Sequence, residues 1–504
     1  MLVRRRFLLP ATVAATLLLT VPASAAEPTP GAPGAGDPYY PDYGNGGYDV
    51  SHYDLRLRYQ PRNDRLRGTA TLLLTARQDL SRFNLDFALD VSEVRVNGRP
   101  AMFAATGAHE LEVTPDRSLT EGQRATVVVR YAGTPSKVQV NGFTSWHRTP
   151  DGGVAANEPE AAWWWFPSND HPTDKATYDV SVAVPDGSRA LSNGVLTSQR
   201  STAGWTRWNW RSSEPQATYL ATLAVGRFDV TTDTTADGLP VLNAYSPDLG
   251  ATEGAARASI ERTGEVTEWL EQYFGGYPFH SLGGYVPHTD TGYALETQTR
   301  PFYSPRKFEN GANVSVVVHE MAHQWYGNNV SLRRWSDIWL NEGFASYAEW
   351  LWSEHAGEGT VEELAAYAYA SVPADDDFWT VKPGDPGPDD QFHGAVYDRG
   401  AMALQALRTE IGDRDFFAVL KGWQREHAGG DASIDDFVAY AERKSGEGLG
   451  GLFDTWLFQP SKPAVGPNGE DGSTERSAAS AAVPERPKSW AKIQKSHEGG
   501  HGHR

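Results

Sequence analysis

The feature that most constrains this chain is the motif His319-Glu320-Met321-Ala322-His323. In a helix, side chains four positions apart lie on the same face, so both imidazoles can point at a single ion. Histidines at this spacing suit zinc, and Glu320 between them is placed to accept a proton from water. The motif therefore predicts a zinc-binding helix, although a buried helix with two incidental histidines would have the same spacing.

A second helical pattern supplies a third candidate ligand. Eighteen residues separate His323 from Glu342, which stands in the segment N-E-G-F-A at 341–345. A structural zinc site usually has four protein ligands, whereas a catalytic site has three and keeps one position for water. Because the chain has no cysteine, two histidines and one glutamate predict an open, hydrolytic site with one zinc ion per chain.

Length and composition limit the possible architectures and partners. A chain of 504 residues is too long for one ordinary core, and its 39% hydrophobic residues are enough to fill two or three. The formal charge of −19 disfavours nucleic acids and anionic membrane surfaces as partners. The lack of cysteine excludes disulfides and cysteine nucleophiles.

The amino terminus is typical of an export signal. Three arginines precede an apolar run from Phe7 to Val21, and an A-x-A cleavage site ends at Ala25. We expect residues 1–25 to be removed, which predicts a secreted, extracytoplasmic protein. The arginine pair before Phe7 also resembles a twin-arginine signal. The run is short for a membrane span and no later apolar stretch is long enough, so no stable span is expected in the mature chain; an uncleaved anchor is the alternative.

The first half of the chain has the texture of strands. Residues 26–45 are rich in Pro, Gly and Tyr and indicate a flexible leader. Alternating segments such as 53–59, divided by turn pairs such as Asn97-Gly98, predict an all-β domain over 46–226. A run of three tryptophans, 163–165, interrupts it. Such rings can stack on sugars, but buried packing is the more common explanation.

The apolar period then changes to that of helices. Helices are expected over 251–274, 314–327, 337–355, 395–411, 414–427, 433–444 and 449–458, with a strand-like segment at 283–299. These elements predict a catalytic domain over 227–462. Residues 463–504 are rich in Ser, Ala, Pro and Gly and predict a disordered tail, in which His497, His501 and His503 are solvated.

The ordered motifs resemble zinc aminopeptidases of the membrane alanyl aminopeptidase family, also called gluzincin aminopeptidases. Besides the two zinc motifs, Y-A-L-E-T at 293–297 is similar to the family's G-A-M-E-N strand, and Y-D-R-G-A at 397–401 to its tyrosine helix. Weaker similarities lie at 166–172, 175–178 and 217–220. The resemblance covers residues 46–462. It implies a multidomain α+β protein, with an N-terminal all-β saddle or sandwich domain followed by a thermolysin-like α/β zinc metallopeptidase domain.

The resemblance also implies roles for single residues. These roles are zinc ligation by His319, His323 and Glu342, general-base catalysis by Glu320, anchoring of the substrate's free α-amine by Glu296, a place in the substrate groove for Ala294, and stabilisation of the tetrahedral intermediate by Tyr397. Taken alone, Glu296 would be an ordinary strand carboxylate and Tyr397 an ordinary helix aromatic. A carboxylate that pairs with the terminal ammonium would hold the first peptide bond over the metal.

Several positions depart from the family's pattern. Tyr293 and Thr297 stand where the family has Gly and Asn, which predicts a reshaped pocket for the amine and the first residue. A glutamine that often adds an amine contact falls on Ala156 by register, and Glu158 nearby is a candidate substitute. The large C-terminal helical domain of many members is missing after Pro460, which predicts a short form with a more open site.

One further carboxylate lies near the predicted metal. Glu349 follows Glu342 by seven residues on the same helical face, where it could orient a zinc-binding histidine; a solvated carboxylate is the alternative.

The sequence thus predicts an exported zinc metallo-aminopeptidase acting on peptides with a free N-terminus. Two alternatives stay open: a zinc endopeptidase of the same fold, and a secreted aromatic-rich binding protein whose zinc is structural.

Overall fold

The computed structural model of the chain describes residues 27–140, 142–289, 291–470 and 484–497. The signal predicted at 1–25 lies outside these residues, as do His501 and His503. No helix among the described residues has the length and apolar character needed to cross a membrane.

Alternating apolar residues build the first half almost entirely from strands. They are β1 (Thr29–Pro30), β2 (Tyr48–Gln60), β3 (Arg65–Ala76), β4 (Leu80–Asp86), β5 (Asp90–Val96), β6 (Arg99–Pro100), β7 (Met102–Thr106), β8 (Glu110–Thr114), β9 (Arg124–Gly133), β10 (Trp146–Arg148), β11 (Gly153–Ala155), β12 (Ala176–Pro185), β13 (Arg189–Ser192), β14 (Val195–Thr202), β15 (Trp205–Gln216) and β16 (Leu223–Gly226).

The largest sheet has the strand order β14-β15-β12-β2-β3-β9-β5-β6. Its pairs are antiparallel except for β2 and β12, which run parallel. In β2 the alternate residues Tyr53, Leu55, Leu57 and Tyr59 are buried, since a period of two directs them all to the core face. Two four-stranded sheets, β1-β4-β8-β7 and β10-β11-β16-β13, complete this domain.

The tryptophan run is part of the core. Trp163, Trp164 and Trp165 are fully buried. Trp163 stacks on His109 with ring centroids 4.0 Å apart, and Nε1 of Trp164 donates to the carbonyl of Val138 at 3.2 Å. Buried packing is therefore confirmed, and these rings offer no exposed face to a sugar.

The segment expected to be a flexible leader is packed against both halves of the molecule. Asp37 is buried, and its Oδ2 accepts a hydrogen bond from the backbone N–H of Trp335 at 2.8 Å. The hydroxyl of Tyr39 donates to Oδ1 of Asp385 at 2.7 Å. The prediction of a flexible leader is thus wrong for residues 27–45. Their hydrogen-bond partners lie far along the chain, where local composition does not reveal them.

The second half is a mixed α/β domain. Its strands are β17 (Asp229–Thr234), β18 (Pro240–Tyr245), β19 (Leu282–Val286), β20 (Ala294–Leu295), β21 (Phe302–Tyr303), β22 (Ser331–Leu332) and β23 (Asp431–Ala432). Its helices are α1 (Glu253–Ile260), α2 (Thr263–Phe274), α3 (Val314–Ala322), α4 (Trp339–His355), α5 (Val361–Ser371), α6 (Gly394–His427), α7 (Ile434–Ser445), α8 (Gly450–Phe453) and α9 (Trp490–His497). A five-stranded sheet has the order β17-β18-β19-β21-β20. The predicted order, an all-β domain followed by an α/β domain, is confirmed.

Several helices differ from expectation, beginning with α3, which ends at Ala322 and not at Gly327. The helix expected over 251–274 is broken into α1 and α2. α2 ends at Phe274 and is followed by Gly275, whose φ of 93° is a conformation that glycine adopts without a Cβ clash. The helices expected at 395–411 and 414–427 are joined in α6, whose helical dihedrals are interrupted at Gly412.

Helices α4 and α6 cross at two glycines. A Cβ placed on Gly400 would lie 3.1 Å from Cα of Gly343 and 2.7 Å from Cδ1 of Trp339. The indole Nε1 of Trp339 donates to the carbonyl of Gly400 at 3.1 Å. This close approach brings the N-E-G-F-A and Y-D-R-G-A segments side by side.

Part of the expected disordered tail is a docked helix. α9 lies on the α/β domain with Ile493 fully buried, and Oγ of Ser489 lies 2.7 Å from Oγ of Ser353. The prediction of a disordered tail is therefore wrong for residues 484–497. Composition suggested disorder, but the contacts that hold this segment come from elsewhere in the chain.

Candidate metal centre and active site

Helix α3 places the two histidines at its C-terminal end. Oδ1 of Asn313 accepts from the backbone N–H of Ser315 at 3.1 Å and so caps the start of the helix. His319 lies in the last turn. His323 is the residue just after the helix, yet its φ of −58° and ψ of −25° are helical, so the two rings keep the spacing that the motif predicts.

Helix α4 brings Glu342 to both histidines. Its Oε2 lies 3.2 Å from Nε2 of His319 and 3.5 Å from Nε2 of His323. One ligand atom from each residue can be chosen within 4.8 Å of the others, and all three side chains are buried. Nε2 of His323 has no hydrogen-bond partner among the described residues. A buried nitrogen of this kind, facing a carboxylate and a second imidazole, fits a zinc ligand set.

Each histidine is oriented by its other ring nitrogen. Nδ1 of His319 lies 2.8 Å from Oε1 of Glu349, and Nδ1 of His323 lies 3.1 Å from the carbonyl of Tyr326. With Nδ1–H donating, Nε2 of each ring is left for a metal. Burial alone would raise the pKa of Glu349, but His497 and His319 outweigh it and hold that pKa below its ordinary value.

Glu320 is buried next to the histidines, and its Oε2 has no hydrogen-bond partner among the described residues. Burial raises the pKa of Glu320 to about 8, although the charges of His319 and His323 oppose this shift. Glu296 adds to the increase. A carboxyl with a pKa near neutrality can both accept and return a proton under physiological conditions.

Glu296 follows strand β20 directly and is fully buried. One of its carboxylate oxygens, Nδ1 or Nε2 of His323 and one oxygen of Glu320 can be chosen within 4.8 Å of one another. Oε2 of Glu296 has no hydrogen-bond partner among the described residues. The structure therefore brings the predicted amine anchor to the edge of the metal ligands.

Three residues that hold Glu296 were given no role from the sequence. The hydroxyl of Tyr219 donates to Oε1 of Glu296 at 3.2 Å. The side-chain amides of Gln324 and Asn328 donate to its backbone carbonyl at 3.1 and 2.8 Å. Tyr219 belongs to segment 217–220, whose weak similarity to the family is the sequence feature that points to it. Gln324 directly follows the zinc motif.

Glu158 lies in the same cluster of carboxyls. It is fully buried, and burial raises its pKa well above the ordinary value. The charges of Glu296, Glu342 and Glu320 add to this shift. The β domain thus contributes a carboxyl to the site. Glu158 lies two residues after Ala156, the position that aligns with the family's amine-binding glutamine.

Tyr293 and Thr297, which replace the Gly and Asn of the family's G-A-M-E-N strand, each donate a hydrogen bond to a backbone carbonyl. The hydroxyl of Tyr293 donates to the carbonyl of Ala156 at 2.8 Å and lies 2.9 Å from Nε2 of His147. Oγ1 of Thr297 donates to the carbonyl of Arg300 at 2.6 Å. Tyr293 therefore fastens β20, which contains the buried Ala294, to the β domain.

Tyr397 stands in the first turn of α6, where His393 caps the helix by accepting from the N–H of Ala395 at 3.1 Å. Its ring is buried, 5.9 Å from the ring of His319 at an interplanar angle of 24°. Burial, reinforced by Glu342, raises the pKa of Tyr397 well above its ordinary value. The hydroxyl consequently stays protonated and can donate a hydrogen bond at neutral pH.

His497, which was expected to be solvated, also lies at this centre. Its Nε2 is 2.7 Å from Oε1 of Glu349, and its ring centroid is 4.9 Å from that of Tyr397. No motif marks this residue in the sequence.

The cluster as a whole is suited to cations. The buried carboxyls of Glu296, Glu320 and Glu342 lie around the two imidazoles. The buried Glu158 interacts electrostatically with these three carboxyls. Buried like charges are costly unless cations or protons compensate them. The arrangement can hold a divalent metal at the histidines and a protonated amine beside it.

Comparison with known proteins assigns the chain to a family. Residues 50–220 match the peptidase M1 N-terminal domain, and residues 301–456 match the peptidase family M1 domain. The glutamyl aminopeptidase of Homo sapiens is 30% identical over 341 residues, which are 64% of this chain and 35% of that protein. The glutamyl aminopeptidase of Rattus norvegicus is 28% identical over 467 residues, 84% of this chain and 48% of its own length. The chain thus spans between a third and a half of these curated relatives.

Solved structures match most of the chain. The M1 zinc metallopeptidase from Deinococcus radiodurans is 30% identical, with a TM-score of 0.76, over 85% of this chain and 98% of that one. A mutant of that protein bound to a Tyr-Ser-Ala substrate matches with a TM-score of 0.75. The resemblance found in the sequence is confirmed, and this chain belongs to peptidase family M1.

Proposed function

We propose that this chain is an exported zinc metallo-aminopeptidase that removes the first residue of peptides. The observation that carries the proposal is the fully buried carboxyl of Glu296 beside the metal-binding pair His319 and His323. A carboxylate at that place pairs with a substrate ammonium and leaves the first peptide bond over the metal.

The residues of the site divide the chemistry among them. Zinc, when bound by His319, His323 and Glu342, would supply Lewis-acid polarisation of the scissile carbonyl and of water. Glu320 accepts the proton of the attacking water and returns it to the leaving amine.

Two further groups act on the substrate itself. Tyr397 donates its hydroxyl hydrogen to the oxygen that becomes negatively charged in the tetrahedral intermediate. Glu296, with Glu158 next to it, binds the terminal ammonium and disfavours chains that extend beyond it.

Export is supported by residues 1–25 alone, with their arginines, apolar run and A-x-A site. Sequencing the N-terminus of the exported protein should find Ala26 first. A mature chain that retains the apolar run would contradict cleavage and favour the uncleaved anchor.

The role of Glu320 is tested by Glu320→Gln, which keeps the shape of the side chain but removes the base. We expect turnover of aminoacyl-anilides to fall by about 10²- to 10⁴-fold while zinc stays bound. Glu265→Gln, at an exposed position where the carboxyl pairs with Arg262, is the matched control and should not change turnover. Wild-type turnover in Glu320→Gln would exclude Glu320 as the general base.

A further inference from the structure

The C-terminal helix α9 packs on the surface of the α/β domain next to the candidate metal centre. It packs on α3, and the ring of its Trp490 meets Tyr367 of α5 at 5.2 Å in an edge-to-face contact. Ile493 of α9 is fully buried in this contact, whereas the side chain of Lys492 is exposed.

The end of α9 is held by buried polar groups. Lys307 is only 2% exposed, and its ammonium donates to the carbonyls of Ser496 at 2.8 Å and Lys495 at 3.3 Å. The last carbonyls of a helix lack partners within it and carry the negative end of its dipole, so a buried ammonium is a matched ligand for them. Asn313, which caps the zinc helix, also donates to the carbonyl of Lys492 at 3.2 Å.

The last two residues of α9 reach the carboxylate that orients His319. Nε2 of His497 is 2.7 Å from Oε1 of Glu349, the same oxygen that lies 2.8 Å from Nδ1 of His319. The hydroxyl of Ser496 donates to the other oxygen, Oε2. Both oxygens of this fully buried carboxylate are therefore engaged by α9.

We propose that α9 is a working part of the metal centre, in which His497 and Ser496 are positioning residues. They hold Glu349, and Glu349 fixes the ring and the proton of His319, so that Nε2 of His319 faces the metal. The inference rests on the proposed function in that His319 binds zinc. A buried carboxylate with both oxygens engaged cannot turn away from His319 without breaking these bonds, which is why the effect passes through it.

The test compares four variants of the full-length chain: His497→Leu, His497→Gln, Ser496→Ala and Lys492→Gln. The leucine removes the ring donors, whereas glutamine can still donate to Glu349. The lysine change is the matched control, because that side chain lies on the same helix but pairs at the surface with Glu358. Zinc affinity is measured by competition with a chromophoric chelator, and kcat and KM with an aminoacyl-anilide.

We expect His497→Leu to weaken zinc binding by about 10- to 100-fold and to lower kcat with little change in KM. His497→Gln should recover most of both values, Ser496→Ala should weaken zinc binding less, and Lys492→Gln should match the wild type. If His497→Leu unfolds the chain, Ser496→Ala alone decides.

Wild-type zinc affinity and kcat in both His497→Leu and Ser496→Ala would show that α9 only packs on the surface. A higher kcat/KM in these variants would show that α9 obstructs the site, which also overturns the proposal. A wild-type protein that binds zinc but cleaves no anilide would defeat the proposed function, while the zinc affinities still test the role of α9.

Discussion

At the scale of residues, the position of Glu296 depends on both domains. Tyr219 reaches its carboxylate from the end of the β domain, while Gln324 and Asn328, which follow the zinc motif, hold its backbone carbonyl. The proposed amine anchor and the proposed metal ligands are therefore connected through one short stretch of chain. Displacing either group would change the distance between them, and with it the choice of peptide bond.

Tyr397→Phe tests a contact that forms only as the oxyanion develops. Removing one donor of this kind costs about 10²- to 10³-fold in kcat. KM should change little, because the ground-state carbonyl does not depend on this hydrogen bond. Steady-state kinetics give kcat and KM for the wild type and Tyr397→Phe. An unchanged kcat would exclude the phenol from the reaction.

At the scale of elements, the helices with chemical motifs were the predictable ones. α3 and α4 begin close to the expected positions because ligand spacing and apolar period agree there. The break between α1 and α2 was not predictable, since the apolar period continues through it. The sequence does not predict the crossing of α4 and α6 either. A glycine inside a motif does not reveal from sequence whether it serves a turn or a close helix contact.

The crossing predicts a difference between two glycines of α6. Gly400→Ala would place a methyl 2.7 Å from Trp339 and force α4 and α6 apart, for a loss of about 1–3 kcal/mol in the free energy of unfolding. kcat should also fall, because Glu342 and Tyr397 stand on the separated helices. Gly394→Ala is the control, since a Cβ there meets nothing within 4 Å. Urea unfolding and anilide kinetics compare the two, and equal losses in both variants would refute the account of the crossing.

At the scale of the whole molecule, two segments whose composition predicts flexibility or disorder are instead packed against distant parts of the chain. Residues 27–45 lie against Trp335 and Asp385, and α9 lies against the zinc helix. Both are short of periodic apolar residues, so local patterns indicate linkers. Their order comes from partners that are distant in sequence, which a reading of local composition cannot detect.

The two domains together create the carboxyl cluster. Glu158 comes from the β domain, and Glu296, Glu320 and Glu342 from the α/β domain. Because burial favours the protonated form of such carboxyls until cations compensate them, the cluster favours a substrate that brings a cation to the metal's side. A free N-terminus has that cation, and an acetylated one does not.

The most direct measurement follows one peptide with a free and with an acetylated N-terminus by mass spectrometry, using the zinc-loaded protein and a chelator-treated control. We expect release of the first residue from the free peptide, no cleavage of the acetylated peptide, and no reaction after metal removal. Glu296→Gln should sharply reduce cleavage of the free form. Internal cleavage of the acetylated peptide by the wild type would contradict the aminopeptidase activity and identify an endopeptidase.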